Sequence, residues 1–151
     1  MLSCVSKVTV PHLARKRYMK RLNFLNRYSP VLLAVLRIVT ALLLLSAGLV
    51  KLVGFPAGAL PGQMPIMSLL GAAAILEVVG GILLIIGLFT RPVAFVLSGE
   101  MAFAYWIAHA PKSFFPVLNQ GTPAILFCFI LLYLVAAGPG ALSIDNRLGS
   151  D

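Results

Sequence analysis

From Val31 onward the chain is a succession of four apolar stretches broken by short runs of glycine and proline. The first helix is expected over about 31–53, with Ser29 and Pro30 in cap and first-turn positions and Gly54 as its stop. The second covers about 66–89. Pro92 opens a third that closes near Ala110, just ahead of Pro111, and with only Thr90 and Arg91 between them the second and third form an antiparallel hairpin. The fourth falls between Thr122 and Ala137, with Pro123 at its start and Gly138-Pro139-Gly140 as its terminator. It is short against the ~17–25 residues of a membrane-crossing helix, so a start near Pro116 is the alternative. The pattern predicts an all-α polytopic membrane protein, a four-helix transmembrane bundle.

Composition supports a lipid environment. Of 151 residues, 60% are hydrophobic and only 11% charged, and the mean hydropathy is +1.01. Such a chain lacks the polar surface that a soluble domain needs. The net charge of +8 is unevenly placed: seven of the twelve basic residues (Lys7, Arg15, Lys16, Arg17, Lys20, Arg21, Arg27) precede the first apolar stretch. Without an aromatic-interleaved basic face, this argues against nucleic acid as a partner and for an orientation signal or contact with anionic lipid headgroups. The first thirty residues hold no acidic side chain, which predicts cytoplasmic N- and C-termini. Arg91, Asp145 and Arg147 then fall inside, while residues 55–65 and 111–121 face outward. The expected organisation is a basic cytoplasmic segment 1–29, a transmembrane domain 30–141 and a short cytoplasmic tail 142–151.

A bacterial cytoplasmic (inner) membrane location fits best. A cleaved signal peptide is disfavoured, since the apolar run continues past Ser46-Ala47-Gly48. The acid-free, arginine-rich start also has the character of a mitochondrial presequence, and Met19-Lys20-Arg21 reads as an ordinary bacterial start that would leave residues 1–18 as an extension.

Two glutamates lie near the middle of apolar stretches, Glu77 and Glu100. A carboxylate at the centre of a membrane helix is disfavoured by roughly 2.5 to 3.5 kcal/mol on insertion scales and so faces a bundle interior, pairs with a cation or marks a route for protons or substrate. At 100° per residue, Arg37, Thr40, Leu44, Gly48 and Lys51 share one stripe of the first helix. Ala73, Ala74, Gly80, Gly81 and Leu84 flank Glu77 on the second, with Arg91 returning to the same azimuth, and small residues there allow close helix packing. At ~1.5 Å per residue from the inner face, Arg37 lies about 8 Å deep, Glu100 about 14 Å, Glu77 about 20 Å and Lys51 about 28 Å. Those depths predict two pairs, Lys51 with Glu77 and Arg37 with Glu100.

Other chemistry is sparse. Cys4 and Cys128 have no spacing for zinc, disulfide relay or haem attachment, and no metal site is expected. His12 falls outside the apolar stretches, so His109 has no histidine partner within them for haem. Met101, Tyr105 and His109 form a second stripe on the third helix, about 180° from Glu100 on ideal geometry. Tyr105, His109 and, in the following loop, Asn119 are candidate contacts for a substrate or quinone near the outer interface, where an ordinary interfacial histidine would also sit.

Arg37, Ser46-Ala47-Gly48-Leu49-Val50-Lys51, Glu77-Val78-Val79-Gly80-Gly81 and Gly87-Leu88-Phe89-Thr90-Arg91 resemble the recurring pattern of the DoxX family of small four-helix membrane proteins. Ala104-Tyr105, His109-Ala110-Pro111, Phe115-Pro116-Val117-Leu118-Asn119-Gln120-Gly121, Gly138-Pro139-Gly140 and Ser143-Ile144-Asp145 extend the resemblance to about residues 32–145. One departure is Thr122, where relatives often carry glutamate before the proline. The resemblance implies a component of an oxidoreductase system. The family name derives from a subunit of a thiosulfate:quinone oxidoreductase, and other members are linked to detoxification of catechols and quinones or to complexes with redox enzymes. No dinucleotide fold, flavin site or metal cluster is evident, so redox chemistry would depend on bound quinone or on a soluble redox partner at the cytoplasmic face. Three readings stay open: a membrane subunit or anchor of a quinone-linked system with a pocket lined by Glu77, Glu100 and Tyr105; a proton-coupled carrier of a small hydrophobic compound; and a structural or assembly protein, alone or as a homo-oligomer.

Overall fold

The computed structural model describes residues 12–149, with side chains from Asn26 to Gly149. The readings made for residues 1–11 and for the basic side chains ahead of Asn26, including Cys4, His12 and the origin of residues 1–18, lie partly or wholly outside that range. The described residues are all-helical, with no strand. In chain order they form α1 (His12–Val53), α2 (Leu69–Ile86), α3 (Thr90–Ala104), a π-helical turn Tyr105–His109 that continues α3, α4 (Thr122–Ala137) and the short α5 (Ile144–Leu148). Residues Asn26–Val53 of α1 and the whole of α2 are long and apolar enough to cross a membrane, and α4 is apolar but shorter.

The expectation that Ser29 and Pro30 open the first helix is corrected: α1 begins before them and Pro30 lies inside it. A proline removes one backbone donor and frees one carbonyl. The arginine, lysine and leucine residues preceding it are good helix formers, so the helix passes through. α2 starts where Ser68 Oγ accepts the Gly71 N–H at 3.0 Å. It ends at Gly87, whose φ of 68° lets its N–H reach Leu84 O while Leu88 N–H reaches Leu83 O. The hairpin turn is therefore 87–89, a few residues ahead of the expected Thr90-Arg91. α4 has its expected bounds, and residues 116–120 form turns that precede it.

Inward positions repeat at intervals of three and four: Ala34, Arg37, Ala41, Leu44 and Gly48 on α1, and Gly71, Ala74, Glu77, Gly81 and Leu84 on α2. The opposite faces are the large apolar residues, among them Leu32, Val39, Leu43, Ile75, Val79 and Ile82, all exposed. Small groups inside and bulky ones outside is the arrangement that suits lipid as solvent. A Cβ on Gly48 would sit 2.9 Å from Ala74 O and 2.7 Å from Val78 Cγ2, so α1 and α2 meet nearly backbone to backbone. α3 packs on α4, tied by a 2.9 Å hydrogen bond from Ser98 Oγ to Cys128 O. α2 and α3 touch less, and Leu97 fills the space beside Gly80. The core joins Ala41, Leu44, Leu84, Ala94, Leu97, Met101, Leu131 and Leu134.

Candidate functional site

The close approach at Gly48 carries Lys51, one turn further on, directly over Glu77. Lys51 Nζ donates to Glu77 Oε1 at 2.5 Å and to Oε2 at 2.6 Å. Glu77 is 1% exposed, and the lysine, at the end of α1, keeps 18% of its side chain accessible. Both carboxylate oxygens are thus satisfied by one ammonium.

Glu100 has no such partner. Its Oε2 is buried without a hydrogen bond, although the side chain is near enough to Glu77 and Lys51 to feel both charges. The expected pair with Arg37 does not form. Arg37 is fully buried and gives its guanidinium to the carbonyls of Pro139 at 2.7 Å and Leu142 at 2.8 Å. These lie in the irregular segment between α4 and α5, where no helix supplies the carbonyls with a donor. Arg91 also departs from the expected azimuth shared with Glu77. It is exposed and donates to Val135 O and Ala136 O at 3.2 and 3.3 Å, a cation on the negative end of α4.

Glu100 lines a groove of about 440 Å³ between α2 and α3, whose walls include Leu70, Ala73, Leu76, Gly99 and Ile107. Glu100 is the only polar side chain among the residues lining it. Ala72 and Ala73 of α2 and Gly99 and Ala104 of α3 are among the small residues lining it, and a Cβ at Gly99 would meet nothing within 4 Å. A second, wholly apolar groove of about 350 Å³ continues it toward the hairpin turn, sharing Leu76 and Val96. Neither Glu77 nor Tyr105 lines the first groove, so the three-residue pocket expected from the sequence is reduced to Glu100.

Tyr105, His109 and Asn119 come together elsewhere. The π-helical turn brings the Tyr105 and His109 rings into a stack at 6.5 Å between centroids and 19° between planes. His109 Nδ1 lies 2.9 Å from Asn119 O, and because a carbonyl only accepts, this nitrogen carries the proton. Asn119 is buried and spends both ends of its amide on the loop, donating to Ser113 O and accepting from Gly121 N–H. It organises the loop that leads into α4.

At the other end, Asp145 accepts the Phe89 and Thr90 N–H groups, each at 2.8 Å, and so caps α3. Phe89 needs the help, because its own side chain makes no cap and its φ is 51°. Burial alone would raise the Asp145 pKa, but the Thr90 and Phe89 N–H groups and the Arg37 charge together hold it below the usual carboxylate range. A Cβ at Gly87 would strike the Arg37 guanidinium and Ser143, which fixes glycine there beyond its positive φ. Sequence reasoning missed this latch. Its one visible signal was Ser143-Ile144-Asp145, a helix-start pattern beside a terminator.

The described residues contain no cluster of side chains that could hold a metal ion. The sequence pattern of the DoxX family matches residues 32–110. An uncharacterised protein of Haemophilus influenzae is 42% identical over 130 residues, 83% of this chain and 97% of its own. The inner membrane protein YphA of Escherichia coli is 30% identical over 130 residues, 78% of this chain and 91% of its own. No solved structure matches.

Proposed function

The chain belongs to the DoxX family of membrane proteins, and from that premise we propose that it is the inner-membrane subunit of a quinone-linked redox or detoxification system, binding its ligand between α2 and α3. The observation that carries the reading is the groove with Glu100 as its single polar side chain. Its volume falls in the roughly 300–1,000 Å³ range of small-ligand sites, which combine an apolar lining with few polar groups. A quinone or phenol offers the matching chemistry: a flat apolar body with an oxygen that exchanges a hydrogen bond with a carboxyl. The adjoining apolar groove extends the surface available to a lipophilic body. In this reading α1 to α4 are four spans, the N-terminus is cytoplasmic, and a soluble redox enzyme supplies or removes electrons at that face. The name of the Escherichia coli relative supports the inner membrane.

Purification in mild detergent is expected to bring quinone and a redox enzyme with the protein. Gly99→Leu tests the groove, since a Cβ at Gly99 meets nothing within 4 Å and the larger side chain projects into the space the ligand would use. Affinity for a short-chain quinone should fall about ten- to hundred-fold in Gly99→Leu and in Glu100→Gln, with membrane abundance unchanged. Unaltered quinone affinity in both variants would refute the site. Loss of both proteins from the membrane would assign the residues to folding instead.

A further inference from the structure

The interior holds two carboxyls and one ammonium. Lys51 gives two of its three N–H donors to the oxygens of Glu77, and Glu100, on the neighbouring helix, makes no ion pair of its own. The charged groups facing Glu100 are Glu77 from α2 and Lys51 from α1. α4 carries no charged side chain, and Arg37 and Arg91 are committed to carbonyls beyond and at the end of α4. One positive charge is therefore missing, and it must come from a proton or from whatever occupies the groove.

We propose that the groove between α2 and α3 is also a binding site for lipophilic monocations, a single positive charge carried on an apolar or aromatic body, with Glu100 as the counter-ion. The fit is one of charge and of surface together. The walls offer apolar and aromatic groups, Leu76, Phe103 and Ile107 among them, and the carboxyl is the only group there able to hold an ion. A carboxylate and a cation brought together away from water attract far more strongly than in solution, whereas a second anion would meet both Glu77 and Glu100. Because one carboxyl cannot hold a proton and a cation at once, the two compete, and the site exchanges one for the other. The proposal rests on the groove being a ligand site and extends it to a charged class that a quinone-only site would not accept.

The experiment uses the full chain in nanodiscs of uncharged lipid, with tetraphenylphosphonium as probe because its charge does not vary with pH. Saturable binding is expected at alkaline pH, weakening by up to about ten-fold per unit on acidification. Glu100→Gln should abolish it, Gly99→Leu should reduce it by exclusion, and duroquinone should displace the probe. Binding that is indifferent to pH and to Glu100→Gln overturns the cation site. Should duroquinone bind while the phosphonium does not, the cation site is likewise overturned but the quinone reading stands, and failure of both ligands removes the two together. If Glu100→Gln fails to accumulate, Gly99→Leu with the pH profile of the unaltered chain decides the matter.

Discussion

Lys51 and Glu77 form a pair in which neither member has another partner, so their worth shows when one is removed. Taking away one half of a buried ion pair strands the other charge and typically costs about 3–5 kcal/mol, while replacing both with apolar groups is often neutral. Lys51→Met and Glu77→Leu should each lower thermal stability in detergent sharply, and the double variant should recover most of the loss. A double variant as unstable as the worse single one would mean that the pair is not the unit. This pair was legible in the sequence because both residues lie on helices, where azimuth and rise are fixed by residue number alone. Arg37 was not. Its acceptors are backbone carbonyls in the irregular segment after α4, and no count along a helix places them.

At the scale of the element, the third helix depends on a residue far along the chain. Phe89 and Thr90 have their amides capped by Asp145, so Asp145→Asn should cost about 1 to 2 kcal/mol at neutral pH, measured as a lowered melting temperature. The sign of the pH effect follows from the lowered pKa. The contribution is complete above the unfolded value of about 3.9 and fades as the pH falls through the lower folded value, so the difference between wild type and variant should close on acidification from about pH 5 to about pH 2. Helix existence was readable from glycine and proline, as were the end of α1 and both ends of α4, while α2 starts and stops three residues inside its expected bounds. The failures have local causes. Pro30 was read as a start, yet a proline in a strongly helical context deletes only one bond. The π-helical turn at Tyr105–His109 was hidden, since one extra residue per turn leaves no mark in composition.

At the scale of the described residues the long helices form closely packed pairs, α1 with α2 and α3 with α4, and the looser seam between α2 and α3 holds the groove. With the native cysteines replaced, a single cysteine at Ala57 should react with an impermeant maleimide in intact cells, and one at Arg147 only after permeabilisation. Both positions are exposed. The reverse labelling would invert the proposed orientation. Family likeness and the overall hydrophobic pattern made the class of fold plain from the sequence. The groove was not readable there, because empty space is a property of how two helices diverge and not of any one residue in them.

Arg37 belongs to the first helix made, and the carbonyls that receive it belong to residues 139 and 142. Until those residues are made the guanidinium lacks both of these acceptors. Chains stopped at residue 137 would leave a buried guanidinium unpaired, and they should be turned over by membrane proteases much faster than chains that reach residue 149. In this sense the segment after α4 holds a helix that lies more than a hundred residues before it, and a truncation there is felt at α1.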